Sequence, residues 1–234
     1  MNEGQNLWHL LSERGCSGGR NMTTTRSLVV VLENVRSAYN VGSILRTCDF
    51  LGIRRVFTCG FTPAGDHQKV RKTSLGSELR VACQAVSSID EASKILADME
   101  YAIWGVETAE GVQRAFAEPQ EAITPGDNAP LVEDWRVEMQ WKMESTRDSN
   151  SAWYALPIQG APAMVDVRST WRSPMVHNVP HQIALIFGNE VKGLSRTALE
   201  HCHACVEVPS HGSKESLNVA VCAGMVLFAL QAQH

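Results

Sequence analysis

The chain has 234 residues, 44% hydrophobic and 20% charged, an apolar content that suits one large folded domain or two small ones and excludes disorder throughout. A formal net charge of −4 excludes a global electrostatic case for a nucleic-acid partner and confines any such case to local clusters. The longest apolar stretches, Ser27 to Leu32 and Val219 to Leu230, fall short of the roughly 20 residues that cross a bilayer, so no membrane span is expected. Seven cysteines at irregular spacing fit reduced thiols rather than a disulfide framework. The first residues carry Glu3 and Glu13 without a long apolar block, so no secretory leader is expected and the cytosol is the expected compartment.

Met1 to Thr25 is rich in Gly, Ser, Thr and Asn and reads as a mobile tail behind a short apolar patch at Leu7 to Leu11. Ser27 to Leu32 is a continuous β-branched run, the pattern of a strand buried on both faces. After Asn40, the apolar residues Val41, Ile44, Leu45, Cys48 and Leu51 recur at helical spacing, with Gly52 placed to end the helix. Arg54 to Cys59 returns to strand character and completes a β-α-β unit. A helix follows over Ile89 to Met99 and a strand over Tyr101 to Val106. Gln182 to Phe187 is a further buried strand, Val206 to Val208 a short one, and Ser216 to Gln231 a long final helix. The alternation predicts an α/β domain on a mainly parallel sheet over 26–234. From about 117 to 180 it breaks down among seven prolines and four tryptophans, and this span is expected to be an irregular insertion outside the core. Two basic clusters, Arg54 with Arg55 and Lys69 with Arg71 and Lys72, are candidate phosphate contacts or plain solvated surface.

No G-x-x-x-x-G-K-[ST] loop, no G-x-G-x-x-G after the first strand and no G-x-S-x-G elbow occurs, which excludes the commonest nucleotide and hydrolase sites. Cys202 and Cys205 have metal-ligand spacing, but a second ligand pair of matching quality is lacking. Three segments are far more specific. Glu33-Asn-Val-Arg-Ser-Ala-Tyr-Asn-Val-Gly-Ser-Ile-Leu-Arg-Thr47, Ile186-Phe-Gly-Asn-Glu-Val-Lys-Gly-Leu-Ser195 and Val208-Pro-Ser-His-Gly-Ser-Lys-Glu-Ser-Leu-Asn-Val-Ala-Val221 resemble, in order, the three motifs of the SpoU/TrmH family of RNA ribose 2′-O-methyltransferases. Cys59-Gly-Phe-Thr-Pro63 and Lys72-Thr-Ser-Leu-Gly-Ser-Glu78 resemble a TrmH-like branch. The chain departs from the pattern at Ser210, where the family usually has Met, and at Leu45, where the branch favours Phe.

The resemblance implies a SPOUT fold with a carboxyl-terminal deep trefoil knot that holds S-adenosylmethionine, and a homodimer with the active site at its interface. It implies methyl transfer to a ribose 2′-hydroxyl in structured RNA, tRNA before rRNA, without a metal. Carried over motif by motif, Arg46, Asn40, Glu190, Ser216 and Asn218 form the catalytic centre, and Gly188, Ile186, Phe187, Val208, Leu217 and Asn218 hold the cofactor. Taken singly, these residues have plainer readings: Asn40 a helix cap, Arg46 a surface arginine, Gly188-Asn189 a turn, and Ser216 and Asn218 caps of the last helix. Because a guanidinium keeps its proton in proteins, Arg46 is expected to hold phosphate and hydroxyl and to stabilise the developing alkoxide rather than act as a base. Glu107 and Thr108 are expected to approach the cofactor, Gly193 to supply a bend, and Ala220, Ala223 and Gly224 to permit close helix approach. The alternatives are a catalytically silent SPOUT subunit that binds RNA or acts as a scaffold, and a metal-binding interaction domain built on the cluster His201-Cys-His-Ala-Cys205.

Overall fold

A computed structural model describes residues 26–117, 153–154, 160–166, 180–213 and 216–231. Eight strands, β1 (Ser27–Glu33), β2 (Arg55–Cys59), β3 (Ala82–Ala85), β4 (Ala102–Val106), β5 (Trp153–Tyr154), β6 (Ala163–Asp166), β7 (Gln182–Phe187) and β8 (Ala204–Glu207), form one sheet. Their order is β3-β2-β1-β7-β4-β8-β6-β5, and every neighbouring pair is parallel except β5 with β6. Among the described residues six α-helices flank the sheet: α1 (Ala38–Leu51), α2 (Gln68–Ser74), α3 (Ile89–Asp98), α4 (Ala109–Ala117), α5 (Arg196–His201) and α6 (Val219–Gln231). The chain thus has the mainly parallel α/β architecture expected of it.

Alternate residues of β1 divide between two cores, as a strand buried on both faces requires. Val30 and Leu32 meet Val41, Ile44 and Leu45 of α1 and Val226, Leu227 and Leu230 of α6. Val29 and Val31 meet Ile89 and Leu96 of α3 and Ala198 and Leu199 of α5. Helices α1 and α6 run side by side in one direction: the Asn218 amide donates to Asn40 Oδ1 where they begin (3.1 Å), and the Gln231 amide donates to the Leu51 carbonyl where they end (3.4 Å).

Two expectations need correction. The helix after β1 starts before Asn40, because the Ser37 hydroxyl caps it by accepting from the Asn40 N–H; Asn40 is the third helical residue. Within the span expected to lie outside the core, β6 pairs in parallel with β8 and buries Met164 and Val165 completely. Four residues after Pro162 suffice for a strand, though they are too few to show a period. The tail, Leu7 to Leu11 and most of the 117–180 span lie outside the described residues. Six of the cysteines are free, and burial pushes the thiols of Cys59 and Cys83 up to about 12 and about 11, far from the reactive range.

Gly42 is where α1 and α2 touch. A Cβ there would lie 2.0 Å from Thr73 Oγ1 and 2.4 Å from the Val70 carbonyl oxygen. Alanine gains about 1 kcal/mol of helix propensity over glycine, whereas overpacking costs about 1–3 kcal/mol, more where backbone must move. Gly42→Ala should therefore lower stability in urea by about 1 kcal/mol or more. An unchanged or raised midpoint contradicts this packing.

Candidate active site

The strand order reverses at the centre of the sheet. From β1 the chain steps outward through β2 to β3, then crosses back to β4, and β7 later fills the gap between β1 and β4. Crevices at the carboxyl ends of strands beside such a reversal are where α/β folds collect ligands. Here the β1–α1 turn, the segment after β7 and the start of α6 meet.

Glu190 joins the first two. Its Oε2 accepts from the Arg36 N–H (2.9 Å), and its Oε1 accepts from the Ser37 N–H (2.9 Å) and the Asn40 Nδ2 (3.0 Å). A carboxylate on the free N–H groups at a helix start is favoured by both hydrogen bonding and the helix dipole. Partial burial pushes the Glu190 carboxyl up, but the N–H groups of Arg36 and Ser37 and the Asn40 amide outweigh it and hold the group below the usual carboxylate range. Asn40 Oδ1 then accepts from Asn218, whose own Oδ1 accepts from the N–H groups of Ala220 and Val221 and so caps α6. One hydrogen-bonded chain, Glu190 to Asn40 to Asn218, links the three motif segments.

The segment from Gly188 to Ser195 is folded back tightly. Asn189 and Gly193 exchange main-chain hydrogen bonds (3.0 and 2.9 Å). A Cβ on Gly188 would lie 2.4 Å from the Gly193 carbonyl, so only glycine admits this pass. Gly193 supplies the expected bend, at φ 74, and a Cβ there would strike Glu107 at 2.1 Å. Three side chains pin the segment. Asn189 Nδ2 donates to the Asn34 carbonyl (2.8 Å), Glu107 Oε2 accepts from the Leu194 N–H (2.9 Å), and Glu33 accepts from the Ser195 N–H (3.0 Å) and hydroxyl (2.5 Å). Burial pushes the Glu33 carboxyl up against the pull of the two Ser195 hydrogen bonds. Glu107 thus positions the loop, a role its sequence neighbours do not signal, and Thr108 caps α4 by accepting from the Gly111 N–H.

The other expected site residues fall less close together. Ile186 and Phe187 are fully buried, one in each core, so only their main chain can face a ligand. Val208 is half-buried against the core, while Ser216, Leu217 and Asn218 are exposed ahead of α6. Arg46 is exposed and makes no hydrogen bond or ion pair among the described residues; six residues past Asn40, it lies about 9 Å further along α1. Cys202 and Cys205 are buried, with the Cys202 thiol donating to the Ala198 carbonyl (3.1 Å), and among the described residues no three metal-ligating side chains cluster. The depressed Glu190 carboxyl predicts a pH window: its contribution is full above the ordinary glutamate value of 4.5 and is lost as pH falls through its lower folded value. The melting-temperature gap between the protein and Glu190→Gln should be widest near neutrality and close in acid. A gap that persists unchanged in acid refutes the assignment.

Residues 27–125 and 136–228 match the model of the SpoU rRNA Methylase family. The chain is 25% identical over 203 residues to the 23S rRNA (guanosine-2'-O-)-methyltransferase RlmB of Xylella fastidiosa, covering 87% of this chain and 57% of that protein. It is 24% identical over 207 residues to a tRNA (guanosine(18)-2'-O)-methyltransferase of Thermus thermophilus, covering 88% and 75%. The chain spans a little over half the length of the RlmB proteins it matches. The solved structure of the SpoU methyltransferase AviRb from Streptomyces viridochromogenes, in complex with the cofactor AdoMet, shares the fold with a TM-score of 0.58 at 20% identity, over 89% of this chain and 61% of that one. With a match over most of its length, the chain belongs to the SpoU rRNA Methylase family.

Proposed function

We propose that the protein transfers a methyl group from S-adenosylmethionine to a ribose 2′-hydroxyl in structured RNA, with tRNA the first substrate to test and 23S rRNA the second. The observation that carries this reading is the hydrogen-bonded chain from Glu190 through Asn40 to Asn218, which gathers one residue from each motif at the strand-order reversal. Two relatives are named as guanosine 2'-O-methyltransferases, one of 23S rRNA and one of tRNA.

The residues assigned to the cofactor suit a neutral adenosyl group: Gly188, Val208 and Leu217 carry no charge, and Gly188 lets main chain approach closely. When bound, S-adenosylmethionine supplies an electrophilic methyl on sulfonium. Glu190 has both oxygens committed to three donors, so it is a positioning residue rather than a base. Asn40 and Asn218 are likewise held by each other and by the helix start. Arg46 is left to grip the RNA phosphate and the nucleophilic oxygen and to offset its developing charge, with Ser216 beside the cofactor segment. Holding the reacting oxygen in line contributes several kcal/mol, about 7–11 in well-oriented intramolecular models.

A homodimer fits the outer face. On α6, Val221, Gly224, Met225 and Phe228 lie at helical spacing; the three large side chains are about half exposed and a Cβ on Gly224 would meet nothing. The stripe is therefore partly open to solvent, and glycine there leaves room for a second helix. On the adjacent α1, Tyr39, Arg46 and Phe50 share one exposed face. Pairing copies through these helices buries the apolar stripe and draws Arg46 into a shared site, in which the knot expected of the fold would hold the cofactor.

The protein, treated with EDTA, should bind S-adenosylmethionine in calorimetry; absence of binding heat and of thermal shift overturns the enzyme reading. Arg46→Ala should lower single-turnover methylation of unmodified tRNA by about 10²–10³ with cofactor affinity nearly unchanged, and Arg46→Lys should rescue poorly. Near wild-type turnover removes Arg46 from the mechanism. In sedimentation, Met225→Asp should convert a dimer to a monomer, and an unaltered mass places the subunit contact elsewhere.

A further inference from the structure

We propose that Phe61 is a stacking platform for an unpaired nucleobase of the RNA, an inference that rests on the reading of the chain as an RNA methyltransferase. The ring is 60% exposed and stands just past the carboxyl end of β2, on the same edge of the sheet as Glu190. One exposed apolar side chain is ordinary. What distinguishes Phe61 is the backbone beneath it.

The residues on either side are both tied to the end of β1. Gly60 has φ 64 and packs so closely on Asn34 that a Cβ would lie 2.0 Å from Asn34 Oδ1. Asn34 is itself left-handed, at φ 54, a strained conformation for a residue with a side chain, and its Oδ1 accepts from the Phe61 N–H (3.4 Å). Beyond the ring, buried Thr62 uses its hydroxyl twice, accepting from the Val35 N–H (3.0 Å) and donating to the Leu32 carbonyl (3.0 Å). The Asn34 carbonyl accepts from Asn189, the neighbour of Glu190. The turn that displays Phe61 and the segment that carries Glu190 are therefore fixed to one common residue. An aromatic ring on a backbone already ordered loses little entropy when something stacks on it.

Charge indicates the occupant. Exposed Arg36 lies two residues past Asn34, and the chain leaving Thr62 enters α2 with Lys69, Arg71 and Lys72 all exposed. Cationic side chains on both approaches to an aromatic ring match a polyanion whose bases offer π-faces. Phenylalanine has no hydrogen-bonding group, so the platform accepts any base and orients the strand without reading its sequence.

Fluorescence anisotropy at low salt, with a labelled single-stranded oligo(rA) and an equally long strand of abasic ribose phosphates as probes, tests this. Phe61→Ala should weaken oligo(rA) binding about 5- to 100-fold and leave the abasic strand unaffected, while Phe61→Trp retains the affinity. Equal oligo(rA) affinity for the protein and Phe61→Ala overturns the platform, and so does a loss that is equal for the two strands. A lower mass of Phe61→Ala in sedimentation assigns the ring to a subunit contact and also overturns it. Unchanged RNA affinity in Phe61→Ala beside active methyl transfer brings down the platform alone; a protein that transfers methyl to no RNA brings down the reading beneath it.

Discussion

Two oxygens of one carboxylate hold the centre of this molecule together. Glu190, just past β7, receives the first free N–H groups of the turn that opens α1 and the amide of Asn40. Hydrogen bonds to a charged acceptor contribute about 1.5–3 kcal/mol each, and here they fasten two segments distant in sequence whose strands are neighbours in the sheet. Because Asn40 in turn holds Asn218, the start of the last helix depends on the same anchor. The carboxylate is structural in its contacts, and through them it sets where the motif residues Asn40 and Asn218 stand.

The segment that Glu190 belongs to is held from below by two further carboxylates, Glu107 on the Leu194 N–H and Glu33 on Ser195. Glycines at 188 and 193 let its two arms pass at distances that any side chain would block. A loop tied at so many points keeps its main-chain groups in place before a ligand arrives, which lowers the ordering cost of binding. Arg46 stands apart from this rigid cluster, exposed on the outer face of α1, and in the proposed homodimer a second copy of the chain brings it and the cluster into one site.

Much of the fold was legible because burial on both faces leaves an unmistakable trace. The run Leu-Val-Val-Val-Leu marks β1, and Gln182 to Phe187 coincides with β7. What escaped was short or carried by polar residues. Helix α2 buries only Val70 and Ser74, β6 has four residues amid prolines, and α5 has six. Ser37 caps α1 although the sequence pattern points to Asn40, because the apolar period becomes visible only at Val41. At the site, the motif residues are identified by resemblance, which places Glu190 in the catalytic centre; its hydrogen bonds are those of a residue that organises the turn before α1. The hold of Glu107 on Leu194 is a tertiary contact between residues far apart in sequence, for which no local pattern exists.

The placement of β7 has a consequence for synthesis on the ribosome. Ser27 pairs with Gln182, and β4 pairs with the same strand on its other side. Until Gln182 to Phe187 has emerged, β1 and β4 each present an open edge lined with aliphatic side chains, the arrangement most prone to pairing with a neighbouring nascent chain. Closing the sheet requires a contact across most of the polypeptide, which is slow to form. The dependence of this protein on chaperones should therefore be set less by its final stability than by how long the span between β4 and β7 takes to be translated.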